Sequence, residues 1–253
     1  MNVPISLAKI LAAAGVHIDL LGHEESCCGH FARRLGDEYL FQCQAKQNIE
    51  TLQRYNVKKI VTACPHCYHT LKFEYPQFGG QFEVVHHTEL ILQLINEGRL
   101  EFNGELNKVV AYQDPCYLGR YHEIYEAPRK ILAAIPGVKV VEMSPCRSHS
   151  LCCGAGGGRM WMEEEPDQRV NRLRIKDAVA TQADIAVTAC PFCLQMFEDA
   201  AGGLELEKPL EVLDLVELLE RVVRLPVTPV DSATPLEVGT DTSDRPLTVV
   251  GSG

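Results

Sequence analysis

The stretch IAVTACPFC, residues 185 to 193, is a short apolar run that leads directly into a Cys-Pro step. It reads as a buried strand that turns at once into a helix. Pro191 suits the first helical turn, where its missing N–H has no intrahelical partner to lose. The stretch VTACPHC, residues 61 to 67, repeats the arrangement, and each copy follows a Cys-Cys-Gly triplet, Cys27-Cys28-Gly29 or Cys152-Cys153-Gly154. Thirty-five residues separate Cys28 from Cys64, and thirty-six separate Cys153 from Cys190. Unrelated cysteine clusters have no reason to share that interval, whereas a duplicated structural unit does.

The duplication extends beyond the cysteines. Ile10-Leu11-Ala12-Ala13 recurs as Ile131-Leu132-Ala133-Ala134, Gly15-Val16 as Gly137-Val138, and Glu83-Val84-Val85 as Glu211-Val212-Leu213. In the second copy, strands are expected at 108–112, 138–143, 185–188 and 210–213, with helices near 127–134, 170–181, from Cys190-Pro191, and 216–223. Short apolar runs alternating with helix-length segments predict an α/β fold whose parallel sheets are covered on both faces. Two tandem repeats are expected, 1–104 and 105–224. The segment 225–253, rich in Pro, Thr and Asp without periodicity, reads as a disordered or loosely attached tail. Cys116 precedes Cys152 by 36 positions, and an offset of 121 puts its counterpart near position −5. The first repeat is therefore expected to be N-terminally truncated, with an incomplete cysteine set.

Composition narrows the classes of function. A net charge of −10 gives no basic footprint for nucleic acid. No apolar run reaches the roughly 18 residues needed to span a bilayer. The opening MNVPISLAKILAAAG has the small and apolar residues of a signal peptide, but Lys9 lies inside the apolar core and the segment recurs later in the chain. Eleven cysteines, clustered as adjacent pairs and CxxC units, argue against a secreted disulfide framework. A cytoplasmic location is the expectation.

The clearest ligand set is Cys116, Cys152, Cys153, Cys190 and Cys193. Cys27, Cys28, Cys64 and Cys67 form the shorter set of the first repeat. Zinc wants four tetrahedral ligands, and adjacent cysteines serve one small ion poorly because their side chains diverge. A multi-iron cluster removes that difficulty, since neighbouring thiolates can reach different iron atoms. The run Ala155-Gly156-Gly157-Gly158 can bring backbone N–H groups close to sulfur. A zinc-stabilised module and a thiol-redox site of the CxxC type remain alternatives. Cys43 and Cys146 have no repeat counterparts and read as small buried hydrophobes. Most histidines read as structural or surface residues, with His66, between two ligand candidates, as the exception. Trp161 reads as a core residue, and Glu163-Glu164-Glu165 as a solvated helix start.

From Ile5 to Leu218 these motifs resemble the tandem cysteine-rich CCG domain of the heterodisulfide reductase-related iron-sulfur oxidoreductases. The stretches ARRLGDEYLFQ (32–42), EYPQFGG (74–80), VVHHTEL (84–90) and LCCGAGGGRMWMEE (151–164) are most similar to a branch linked to electron-transfer flavoprotein and quinone. The resemblance implies that Cys116, Cys152, Cys153, Cys190 and Cys193 hold a [4Fe-4S]-type cluster, non-cubane in some members, with a second cluster at the first set an open question. It also implies a redox partner: a flavoprotein, a ferredoxin-type domain or a quinone-linked membrane segment. Members of that branch carry a membrane segment and ferredoxin-type motifs upstream, so attachment to the cytoplasmic face of a membrane would come from upstream sequence or a partner.

Overall fold

A computed structural model of the chain describes residues 2–165, 168–225, 234–235 and 247–250. The first repeat runs α1 (Val3–Ala13), β1 (Ile18–Leu20), α2 (His30–Arg34), α3 (Glu38–Arg54), β2 (Lys59–Thr62), α4 (Pro65–His69), β3 (Glu83–His86) and α5 (His87–Asn96). The second runs β4 (Lys108–Tyr112), α6 (Cys116–Gly119), α7 (Glu126–Ala134), β5 (Val138–Glu142), α8 (Val170–Ala180), β6 (Ile185–Thr188), α9 (Pro191–Gly202), β7 (Glu211–Asp214) and α10 (Leu215–Glu220). Two short strands follow, β8 (Thr234–Pro235) and β9 (Leu247–Val250). The fold is α/β, and every strand pair within the two sheets is parallel.

The second sheet has the order β5-β4-β6-β7, and the first β8-β1-β9-β2-β3. Overlaying the repeats matches β1 to β5, β2 to β6 and β3 to β7, so β9 stands where β4 stands in the second sheet. The structure departs here from the expectation of a loose tail. Most of 225–253 lies outside the described residues, but Leu247–Val250 is a central strand, paired with β1 on one side and β2 on the other. Thr248 is buried there. A four-residue strand with no alternation leaves no trace in the sequence, because the two edges on either side of it define it.

The repeats share one core. On α1, Val3, Leu7, Ile10 and Leu11 fall at helical spacing on one buried face. Full burial of each Leu or Ile is worth roughly 1.5–3 kcal/mol before ordering costs. This burial accounts for the apolar character of the opening segment. Helix α1 packs on α10, and α5 packs on α7. Since α1 corresponds to α7 and α5 to α10, the contact is reciprocal, like that of a two-fold dimer. Lys9 and Ser6 of α1 bond Glu220 of α10 across it. Separate apolar clusters fill the outer faces, one around Phe41, Ile49, Ile60 and Tyr75, the other around Ile175, Ala186 and Phe197.

Candidate metal centre

Each cysteine of the two sets follows the carboxyl end of a strand. Cys27 and Cys28 lie beyond β1, Cys64 and Cys67 beyond β2, Cys116 beyond β4, Cys152 and Cys153 beyond β5, and Cys190 and Cys193 beyond β6. That edge of a parallel α/β sheet is where loops are free to build sites. Cys64 and Cys190 are extended residues immediately before Pro65 and Pro191, so the proline that starts each helix also fixes the thiol beside its first turn.

The geometry unites what the sequence presents as two sets. Cys27 lies beside Cys28, Cys28 beside Cys67 and Cys67 beside Cys64, close enough for each thiol to shift its neighbour's ionisation. Cys64 meets Cys190 of the other repeat. The string continues from Cys190 to Cys193, Cys153, Cys152 and Cys116. Nine thiols thus form one continuous array across the junction of the repeats. Cys28, Cys64, Cys67, Cys153, Cys190 and Cys193 are buried, Cys116 and Cys152 half-buried, and Cys27 exposed. Among the described residues no three Cys, His, Asp or Glu side chains are arranged around a point that could hold a single metal ion. All-sulfur donors in adjacent pairs suit a larger, sulfur-bridged centre.

Protons are unevenly distributed along the string. Hydrogen bonds from Cys27 and Cys67 hold the Cys28 thiol well below the usual range. Bonds from Cys116 and Cys153, helped by the amides of Gly154 and Gly156, bring Cys152 down to about 2. Burial opposes ionisation of Cys64, but bonds from Cys190, Cys67 and His66 outweigh it and leave that thiol well below the usual range. The donors move the other way: Cys67 and Cys193 are pushed up by their thiol neighbours and by burial, and Cys190 by burial first.

Gly29 and Gly154 explain the third letter of each triplet. Their φ angles are 82° and 94°, in the left-handed region that side chains disfavour. That turn points the Gly29 N–H at Cys27 Sγ, 3.5 Å away, and the Gly154 N–H at Cys152 Sγ, 3.3 Å away. A Cβ at Gly29 would lie 2.8 Å from the Phe41 ring.

Polar side chains fasten the cysteine loops. Asn48 of α3 donates to the Cys27 carbonyl at 2.9 Å, and the Tyr75 hydroxyl donates to that of Cys28 at 3.2 Å. In the second repeat, fully buried Arg174 bonds Gln113 at 2.8 Å and Ser150 at 3.0 Å, tying the loop before Cys116 to the loop before Cys152. Arg129 grips Asp114 through two bonds of 2.7 and 2.9 Å, and the Arg147 N–H donates to the same carboxylate at 2.7 Å. None of these anchors was evident from the sequence. Asn48 of α3 and Arg174 of α8 occupy corresponding positions, each eight residues before the positive-φ residue that ends its helix, Asn56 or Gln182, a correspondence that the duplication itself could have exposed.

His66 lies at the junction, its Nδ1 3.7 Å from Cys64 Sγ and 3.8 Å from Cys190 Sγ. Its counterpart in the second repeat is Phe192, which packs against it edge-on. His30 and Tyr117 close the other sides, with centroids 4.8 and 4.4 Å from that of His66. Three readings from sequence need correction. Trp161 is 60% exposed, edge-on to Phe31, because the glycine run carries it out to the surface. Cys43, on the outer side of α3, is exposed and Cys146 half-buried, so neither is a core residue, and neither joins the thiol string. Glu163-Glu164-Glu165 form a loop, and the helix begins at Val170. His86 and His87 are buried, as a structural role requires, with His86 Nδ1 2.8 Å from the Thr88 hydroxyl.

Comparison with known proteins agrees with this arrangement. The chain is 46% identical over 222 residues to a probable iron-sulfur-binding oxidoreductase, FadF, of Bacillus subtilis, covering 88% of this chain and 32% of that protein. It is 43% identical to an EtfAB:quinone oxidoreductase of Syntrophomonas wolfei, over 85% of this chain and 31% of the relative. It is 38% identical to one of the subunits of the dihydromethanophenazine:CoB–CoM heterodisulfide reductase of Methanosarcina mazei, over 89% of this chain and 56% of the relative. The chain therefore spans about a third of the first two relatives and just over half of the third. No helix among the described residues is long and apolar enough to cross a membrane. The CCG cysteine-rich domain matches residues 1–72 and 110–198, more than half of the chain and all nine cysteines of the string. The chain belongs to the CCG cysteine-rich domain family and carries that domain as a tandem pair.

Proposed function

We propose that this chain binds iron-sulfur clusters of the [4Fe-4S] type, cubane or non-cubane, and works as the cluster-carrying part of an oxidoreductase. Cys116, Cys152, Cys153, Cys190 and Cys193 hold one cluster, and Cys27, Cys28, Cys64 and Cys67 supply the thiols of a second site. Electrons pass between a redox partner, such as electron-transfer flavoprotein or a ferredoxin-type domain, and a quinone-linked chain or a thiol/disulfide substrate. The location is cytoplasmic, with membrane contact through a partner or further sequence. The observation that carries this reading is the gathering of the nine thiols, the two sets meeting where His66 Nδ1 lies 3.7 Å from Cys64 Sγ and 3.8 Å from Cys190 Sγ.

A bound cluster supplies one-electron chemistry. The chain supplies the setting. The Gly29 and Gly154 amides donate to sulfur and so favour the reduced, more negative state. His66 provides a ring nitrogen at the junction, while Phe31, Phe192 and Tyr117 exclude water from it. The anchors on Asp114, Ser150, Cys27 and Cys28 keep the loops in place whether or not the thiols are ligated.

Anaerobic reconstitution with iron and sulfide, followed by metal analysis and electron paramagnetic resonance, tests the reading. Iron and acid-labile sulfide should bind, and Cys153→Ser or Cys190→Ser should remove most of the signal, while Cys43→Ser and Cys146→Ser leave it intact. Stoichiometric zinc without iron would favour a structural zinc module instead. Equal loss at all four positions would show that the string is not the ligand set.

A further inference from the structure

Gly157 and Gly158 have φ angles of 65° and 76°, and a Cβ at Gly158 would lie 2.6 Å from Leu35 Cδ2 of the first repeat. Glycine alone meets both demands there. The turn they make sets Trp161 in solvent, with half-buried Phe31 edge-on to the indole, ring centroids 4.6 Å apart. Trp161, Met162 and Leu35 are each more than half exposed. Phe31 and Leu35 come from the first repeat, Trp161 and Met162 from the second, so the patch straddles the junction. Scattered apolar residues on a surface are ordinary, but an adjoining tryptophan, methionine, phenylalanine and leucine have the composition of an interface core.

The rim of the patch is acidic. Its arginines are neutralised locally, Arg33 by Glu38, Arg34 by Glu74 and Arg159 by Glu164. Asp37, two residues after Leu35, and Glu163 and Glu165, just beyond Met162, are exposed and make no ion pair among the described residues. A complementary face therefore has an apolar centre inside a ring of Lys or Arg. Behind the indole, aromatic rings run inward. Phe31 stacks on His66 at 6.1 Å and 24°, and His66 Nδ1 lies 3.7 and 3.8 Å from Cys64 Sγ and Cys190 Sγ. Three rings thus join the solvent to the place where the two thiol sets meet. A second run, Tyr121 on Tyr117 and Tyr117 against His66, also reaches solvent and serves as a control.

We infer that the patch centred on Trp161 is the docking surface for a separate redox protein with a Lys- or Arg-ringed apolar face, and that electrons cross on this side of the molecule. One electron passes between the centre held by the thiols and the partner's carrier, so that one is oxidised as the other is reduced, and no bond forms or breaks. The electron transfer rests on the proposed function; the docking surface stands on the patch and its charge.

Two arms test it on the full chain, with cytochrome c, a one-electron carrier with lysines around its haem edge, as the probe. Trp161 is the single tryptophan, so its emission reports on this surface alone. In the metal-free chain, cytochrome c should quench that emission along a saturable curve. Glu163→Lys combined with Glu165→Lys should weaken the binding about tenfold at low salt. Glu207→Lys, on the loop before β7 at the opposite ends of the strands, should leave it nearly unchanged. No saturable quenching, or equal weakening by Glu207→Lys, would overturn the surface. Sedimentation showing that the chain pairs with itself, and that Trp161→Ser abolishes the pairing, would make a second copy the occupant and overturn it too. In the second arm the iron-loaded chain is reduced with dithionite and mixed with cytochrome c. Trp161→Ser should slow haem reduction several-fold while leaving oxidation by ferricyanide, a small anion, unchanged, and Tyr121→Ser should match the parent. Equal haem reduction by the parent and Trp161→Ser, or a loss in Tyr121→Ser instead, would overturn the side assigned to electron transfer. Saturable docking by a chain that takes up no redox-active iron would count against the proposed function and still support the surface.

Discussion

Replacing Arg129 with Met should be one of the most damaging single changes outside the cysteines. The guanidinium is 8% exposed and makes two bonds to Asp114, two to Glu142 and one to the Tyr125 carbonyl. Asp114 is 4% exposed, and without Arg129 its carboxylate keeps only the Arg147 N–H among these bonds. Glu142, 39% exposed, can turn to water, so its loss matters little. Breaking a buried pair by removing one partner typically costs about 3–5 kcal/mol, chiefly as the penalty on the abandoned charge. For a chain of this size that corresponds to a fall in Tm of roughly 6–20 °C. Asp114 starts the Asp-Pro-Cys turn, so the Cys116 thiol should also become more reactive toward alkylating reagents. Urea melts of the single variants and of Arg129→Met with Asp114→Asn complete the cycle. The double variant should recover much of the loss, because the stranded charge is gone. A single-variant loss below about 1 kcal/mol, or a double variant no more stable than Arg129→Met, would refute the claim that charge burial sets the cost.

Gly154→Ala places a side chain at φ 94° and 3.2 Å from the Asn171 amide nitrogen. A loss of about 1–3 kcal/mol in chemical denaturation is expected, with reduced iron per chain after reconstitution. His66→Phe copies the second repeat at the junction and should fold normally. Removing an N–H donor from sulfur should lower the midpoint potential of the reconstituted protein in a redox titration, and an unchanged midpoint would mean that His66 does not bond cluster sulfur. Burial raises the fully buried Asp214 carboxyl to about 8, against an ordinary value of 3.8. The folded state then holds a proton that the unfolded state has released, so this group makes stability fall as pH rises from about 4 to about 8. Asp214→Asn retains the amide-capping geometry and should remove up to about 1.4 kcal/mol per pH unit of that slope. Parallel pH profiles of the two proteins would show that Asp214 is not the group responsible.

Much of this molecule is local and therefore legible in sequence. Short apolar strands, of which β2 and β6 run into a Cys-Pro, β1 and β5 into a loop ending in Cys-Cys-Gly and β4 into Asp-Pro-Cys, declare both the parallel α/β pattern and the nine thiols, because strand burial and helix initiation depend on neighbouring residues. The duplication revealed which cysteines belong together, since equal spacing reflects equal folding. Glycine as the third letter of the triplet also has a local cause, the positive φ that turns an amide back onto sulfur. Other features depend on residues far apart in the chain. Cys64 and Cys190 meet, with His66 between them, because two half-cores pack reciprocally through α1, α5, α7 and α10. Arg129 and Asp114 pair through burial, which a charge pattern does not reveal. Trp161 is exposed because the Gly157 and Gly158 turns carry it away from a core that its composition alone suggested. Strand β9 is the extreme case. Nothing in Leu247–Val250 marks it as central to the first sheet; two parallel strand edges, more than 180 residues earlier in the chain, leave a space one strand wide, and backbone hydrogen bonding accepts almost any extended segment that reaches it.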